Sequence, residues 1–251
     1  MEYKVSKIKQ DLSVNVSAIT DLIVKTQRQS GEIPWSPGQK TDPWDHVESA
    51  IGLTTGGCFK EAQLAFEWLA GTQLPDGSWY SSYMNGIPED KTRDANMSSY
   101  IAVGVFHYYL ATGDTVFLDK MWNTVKHAIE FAIGLQAPGG EIYWAISPDD
   151  KVDRMALLTG SSSIYMSLKC AIAISQILGR KTTGWTDALL KLEDAIRNKP
   201  WLFNMTKSRF SMDWFYPVLT GAITGIEAQK RISRSLKKFI VKGQGIRCVS
   251  D

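Results

Sequence analysis

The sequence predicts an all-α protein: an α/α toroid of helical hairpins, with an inner ring of apolar helices inside an outer ring of amphipathic ones. Three observations carry this expectation. Apolar residues recur at helical spacing over most of the chain, and no convincing run alternates as a strand would. Helices with a charged face alternate along the chain with helices that are apolar or small nearly all round, and a helix lacking a polar face must be covered on every side. Three segments also repeat Gln, then Gly, then Trp: Gln27 to Trp35 (QRQSGEIPW), Gln73 to Trp79 (QLPDGSW) and Gln136 to Trp144 (QAPGGEIYW).

The expected helices span residues 12–28, 43–55, 58–72, 95–112, 115–135, 159–179, 185–198, 214–226 and 228–241. Asp94 and Ser161 have the chemistry of N-caps, and Gly113, Gly179 and Gly243 that of helix stops. The helices over 58–72, 115–135 and 185–198 have charged faces; those over 43–55, 95–112, 159–179 and 214–226 do not. Each Gln–Gly–Trp segment follows an amphipathic helix. The tryptophans are 44 and 65 residues apart, enough chain for a helical hairpin with variable insertions. In QLPDGSW, Pro75-Asp76-Gly77 makes a turn, Gln73 bonds backbone across it, and Trp79 covers the end of the ring. About four and a half hairpins can be counted in one domain over 1–251. The ring is therefore expected to be incomplete, to be closed by further hairpins or by a partner chain, and the ending GQGIRCVSD does not read as a natural stop.

Composition narrows the function. Of 251 residues, 28 are basic and 26 acidic, a formal charge of +2 that lacks the basic excess of a nucleic-acid binder. The basic cluster KRISRSLKK (230–238) reads as the solvated face of a helix, because Ile232, Leu236 and Phe239 form an apolar stripe. Cys58, Cys170 and Cys248 are scattered and have no zinc-site spacing. No hydrophobic signal region or membrane-length apolar run occurs, so the expected location is cytoplasmic. No P-loop, GxSxG elbow or HExxH is present.

The motif Gln-x(2–5)-Gly-x-Trp after an outer helix resembles the QW repeat of terpenoid cyclases and the related repeats of protein prenyltransferases. In those families the Gln and Trp tie neighbouring hairpins together. The chain as a whole looks similar to bacterial proteins described as prenyltransferase-like. Six-hairpin glycosidases use the same toroid and are the second resemblance. Both imply a small-molecule substrate, an isoprenoid in the first case and a saccharide in the second. The signature acids and zinc ligands of the prenyl enzymes do not occur here. Asp149, Asp150 and Asp153 (DDKVD) match the DDxxD that holds Mg²⁺ in class I prenyltransferases. They follow Ser147-Pro148 in a polar stretch and read as a solvated loop, so no cofactor is expected.

In a toroid the inner helices run the same way and their N-termini open at one mouth. Those N-termini read TDPWDHVES (41–49), TRDANMSSY (92–100), TGSSSIY (159–165) and FSMDWFYP (210–217). Taken singly, such Asp and Ser residues are ordinary caps; four in register suggest a ligand site. Asp45 and Glu48 lie three apart on one helical face, where like charge could raise one pKa into the range of a general acid. With Asp94 and Asp213 they are the candidate catalytic residues. Trp44, His46, Asn96, Tyr100, Ser162, Tyr165, Trp214 and Tyr216 are the candidate substrate contacts. Three functions compete: an enzyme on an isoprenoid-like substrate, which is the leading expectation; a carbohydrate enzyme with two of these carboxylates as acid and base; and a helical scaffold without catalysis.

Overall fold

A computed structural model describes residues 15–250. Outer and inner helices alternate along the chain: outer α1 (Val16–Thr26), inner α2 (Pro43–Thr55), outer α3 (Phe59–Thr72), then inner α4 (Ala95–Ser99) and α5 (Ile101–Thr112), joined at Tyr100. Outer α6 (Thr115–Gly134), inner α7 (Leu158–Ile177), outer α8 (Trp185–Asn198), inner α9 (Ser211–Leu219) and outer α10 (Gly225–Phe239) complete the series. Successive inner helices pack on one another, α2 on α5, α5 on α7 and α7 on α9. This is the expected α/α toroid. Residues 12–14 of the first expected helix lie outside the described residues.

Inner α9 covers 211–219 rather than the expected 214–226, and its proline explains part of the difference. Pro217 has no N–H, so the Asp213 carbonyl one turn back loses its helical donor. Arg231 of α10 supplies one instead, through Nη2 to the Asp213 carbonyl (2.6 Å) and Nε to the Trp214 carbonyl (2.9 Å). The helix then stops at Gly221, whose φ of +77° suits glycine.

The expectation of no sheet is corrected. Among the described residues, three small antiparallel sheets sit in the loops: β1 (Ser82–Met84) with β2 (Ile87–Asp90); β3 (Arg93–Asp94), β4 (Tyr143–Ile146) and β5 (Val152–Ala156); and β6 (Ile240–Val241) with β7 (Gly245–Ile246). The first turns on Asn85-Gly86, both at positive φ, the two-residue hairpin that Asn-Gly favours. The second matters for the mouth. Asp94 pairs with Ala145 in it, so one strand from the loop after α6 lies against the start of α4.

The repeated Gln–Gly segments share one geometry. Gln73 Nε2 donates to the Gly77 carbonyl of its own turn (3.0 Å) and to the Thr124 carbonyl of the next outer helix (2.9 Å). Gln27 does the same to Gly31 (3.1 Å) and to Glu61 on α3 (2.9 Å), and Gln136 to Gly140 (3.0 Å) and to Ala188 on α8 (2.9 Å). Each glycine has a φ between +90° and +103°. A Cβ at Gly31, Gly77 or Gly140 would stand 2.2 to 2.3 Å from a carbonyl oxygen of Leu64, His127 or Lys191, so only glycine fits. Trp79 fills the core behind its turn, 1% exposed, with Nε1 bonded to the Leu69 carbonyl (2.9 Å).

Gly77→Ala should cost about 3 kcal/mol or more, from a left-handed alanine and a backbone clash together. Gly38→Ala, at φ +78° in open space, should cost only about 1 kcal/mol. Urea midpoints compare the two; equal losses would mean that the helix contact at Gly77 is not what requires glycine.

Candidate active site

The mouth is built on the capped start of α2. Asp42 is buried, with Pro43 at the first helical position, and its carboxylate accepts the backbone N–H of Asp45 (2.9 Å) and the indole N–H of Trp35. The preceding Thr41 is tied by backbone bonds to Tyr83 of β1, and its hydroxyl bonds the buried Glu32, which also pairs with Arg28. The cap is therefore anchored from two loops. Trp35 itself is 54% exposed, with Lys40 Nζ 4.5 Å above its ring.

Asp45 carries the most useful acidity. Its pKa is raised to about 6, first by partial burial, then by the Asp42 charge, a hydrogen bond shared with the Asp42 side chain, and Glu48. The residue keeps an exposed surface at the mouth. A carboxyl both proton-bearing near neutral pH and reachable by solvent is chemically a proton donor. Glu48 is otherwise engaged, accepting the Tyr100 hydroxyl (2.5 Å). Trp44 stacks on Tyr100 at 3.9 Å between centroids and lies 6.1 Å from Tyr216. Burial and Glu48 push the Tyr216 phenol up to about 12. Side chains of α2, α9 and the α4–α5 junction thus meet inside the ring.

Asp94 caps α4, accepting N–H bonds from Asn96 (2.7 Å) and Met97 (3.0 Å). Enclosure of its carboxyl raises the pKa to about 6 against the pull of those two donors, and the Asp42 charge adds to the rise. That coupling ties Asp94 to the α2 cluster. Asp213, 7% exposed, accepts the Thr159 hydroxyl (2.5 Å) and backbone N–H (3.2 Å), and burial raises its pKa against those bonds. Thr159 also lines a cavity of about 130 Å³ together with Asp94, Asn96, Trp144 and Ser161. Thr159 thus stands between Asp213 and the cavity that Asp94 lines.

Several expected contacts are placed elsewhere. His46 is fully buried; its Nδ1 accepts the Ile33 N–H (3.1 Å) and its Nε2 donates to the Ala65 carbonyl (2.9 Å), which leaves no nitrogen for a ligand. Burial lowers its pKa to about 4, so it is a neutral strut between loop and helix. Ser162 is buried and turns its hydroxyl to the Leu158 carbonyl of its own helix (2.7 Å). Tyr165 is buried within the field of Glu193 and Arg197 on α8, with Lys169 Nζ 5.3 Å from its ring centroid. Trp214 stacks on Phe239 at 5.1 Å and bonds the Arg231 carbonyl, so it joins α9 to α10. Ser161 is not the cap of α7; Leu157 holds that place, and Ser161 lies in the first turn.

DDKVD forms the β4–β5 turn and the start of β5, where Asp149 pairs with Lys151 and Asp150 with Arg93. Among the described residues, no three of His, Cys, Asp and Glu are grouped so as to hold a metal ion. No described helix is long and apolar enough to cross a membrane. The residues that sequence reasoning missed are Asp42, Trp35, Trp144 and Thr159. Trp35 and Trp144 belong to the repeated segments, where position alone does not separate a core tryptophan from one at the mouth.

No protein-family model matches the chain. It is 48% identical over 229 residues to an endo-(1,4)-3-O-methyl-α-D-mannosidase of Mycolicibacterium hassiacum, covering 91% of this chain and 63% of that protein. The chain thus spans less than two thirds of that relative. Among solved structures, a GH63 mannosylglycerate hydrolase from Thermus thermophilus superposes with a TM-score of 0.69 at 10% identity, over 90% of this chain and 78% of the other. A D-mannose isomerase superposes with a TM-score of 0.68 at 10% identity, over 97% and 76%. These structures share the toroid, which hosts both hydrolysis and isomerisation, so the fold does not choose the reaction. The similarity to glycosidases is supported; the leading expectation, an isoprenoid enzyme, is not.

The Asp45 carboxyl should titrate near pH 6 by carbon-detected NMR, and Asp42→Asn should move that midpoint down by removing a like charge. A raised carboxyl pKa opposes folding once the group ionises. Asp45→Asn should therefore leave stability unchanged below about pH 4 and increase it above about pH 6. A midpoint near 4 in the unaltered protein would remove the donor assignment.

Proposed function

We propose that this chain carries the acid side of a glycosidase active site and acts on α-mannosidic bonds within a polymer of O-methylated mannose. The observation that carries the reading is the Asp42–Asp45 pair at the toroid mouth, with Asp45 raised to about 6. The 48% identity to an endo-mannosidase supports the substrate class.

The chemistry follows from the geometry. Glycosidic oxygen is a poor leaving group unless it is protonated as the bond breaks. Asp42, pinned by two N–H donors, keeps its carboxylate beside Asp45 and so keeps the Asp45 proton in place near neutral pH. The Asp42 carboxylate places negative charge at the mouth, which favours the positive charge that develops on the sugar ring in the transition state. Trp35, exposed and fixed by Asp42, offers an aromatic face beside the acid on which a sugar ring can stack. The glycosidase reading needs no metal.

Asp45→Asn should lower kcat/KM on an α-1,4-linked O-methylmannose oligosaccharide by about 10²- to 10⁴-fold, the usual contribution of a general acid. A donor works only while protonated, so the wild-type rate should fall as pH rises through about 6, and Asp42→Asn should move that limb to lower pH. Reducing-end release by mass spectrometry measures both. A variant that keeps wild-type turnover, or a pH limb unmoved by Asp42→Asn, would sink the assignment.

A further inference from the structure

The cavity of about 130 Å³ between α4, β4 and the start of α7 has unused polar chemistry in its walls. Asn96 Oδ1, Trp144 Nε1 and Ser161 Oγ are buried without a hydrogen-bond partner, and all three residues line it. Ser161 is 1% exposed. Buried polar atoms are nearly always paired. Three orphans around one cavity are what a site looks like when its ligand completes the set.

The orphans also describe the ligand. Asn96 Oδ1 can only accept, Trp144 Nε1 can only donate, and a serine hydroxyl does both. A sugar hydroxyl donates once and accepts, so vicinal hydroxyls match this set. Ile142, Leu157 and Ile164 line the same cavity and suit the C–H face of a ring or a methyl ether. No Lys, Arg or His lines it, so no cation there would pair with a phosphate or carboxylate. At roughly 30 Å³ of liquid per water, the volume equals about four waters, room for the hydroxylated edge of one ring and not for an oligosaccharide.

We propose that this cavity is a subsite for one uncharged pyranose residue, held by Asn96, Trp144 and Ser161. The proposal deepens the glycosidase reading and rests on it for the substrate class. The loop strand β4 is part of the site, since its pairing with β3 brings Trp144 to the start of α4. Asp94 caps α4 at the edge of the subsite, so the cavity opens at the start of an inner helix.

Gly160 allows a clean test. It lines the cavity, and a Cβ there would meet Asn96 Cβ at 3.6 Å and Leu157 Cβ at 3.7 Å, ordinary contacts. Gly160→Ala therefore takes up cavity space without a forced clash, and Ser161→Ala removes one hydroxyl. The probes are free mannose and 3-O-methylmannose, read by indole fluorescence with Trp144→Phe as the blank, alongside kcat and KM on the oligosaccharide. The expected result is a fluorescence change on sugar addition that vanishes in Trp144→Phe. Its apparent Kd should rise about tenfold or more in Gly160→Ala and Ser161→Ala, with melting temperatures near wild type. Unchanged sugar affinity and unchanged KM in both variants would overturn the subsite, as would a cavity that holds only water at saturating sugar. Sugar bound here by a wild-type protein that cleaves no mannoside would support the subsite while removing the glycosidase reading. Cleavage that persists unchanged in Gly160→Ala would do the reverse.

Discussion

One side-chain amide, used three times, holds the outer wall of this protein in register. Gln27, Gln73 and Gln136 each spend both N–H donors on carbonyls, one in the turn just formed and one on the following outer helix. A carbonyl near a helix surface is already half-satisfied, so each bond is worth little alone, on the order of 1 kcal/mol net. Their value is positional. A glutamine that must reach both carbonyls fixes where its turn sits on the neighbouring helix, and the glycine four residues on lets the backbones touch. From that anchoring the loops rise over the mouth, and they carry Glu32, Thr41, Trp35 and Trp144.

The mouth shows the opposite economy. Asp42, Asp45 and Asp94 crowd negative charge at helix starts, where helix dipoles and N–H donors offset only part of the repulsion. Burial first, and the Asp42 charge after it, raises the pKa values of Asp45 and Asp94. Nearby, the structural acids are handled differently: Glu32 is buried but paired with Arg28 and Thr41, and Asp76 pairs with Arg93. The distinction between acids with partners and acids crowded together separates framework from chemistry in this molecule.

Helix type and order could be read from the sequence because the alternation of charged-faced and uniformly apolar helices is a direct imprint of outer and inner position. The inner-helix starts were legible as a group for the same reason. Residue-level roles were not. His46 sits one residue beyond Asp45, yet a helix turns about 100° per residue, enough to send it into the core against Ala65. Ser161 was read as a cap, and its neighbour Ser162 as the substrate contact, because no local rule says which hydroxyl finds a backbone carbonyl. The small sheets were missed as well, although Asn85-Gly86 was a hairpin signal in plain view. Asp42 could have been found: an Asp before Pro at the start of a helix is an N-cap, and the cap here is the charge that tunes the acid.

The repeated segments differ in one respect that the amide geometry conceals. From glutamine to tryptophan there are six residues in the middle copy and eight in the other two. With six, the indole drops into the core behind its turn; with eight, it reaches the cap of α2 at Trp35 or the cavity at Trp144. The first four residues after each glutamine are committed to the wall and the stretch beyond the glycine is not. Chain length there can vary without disturbing how the helices stack, so the same building block serves as masonry in one place and as a tool-holder in another.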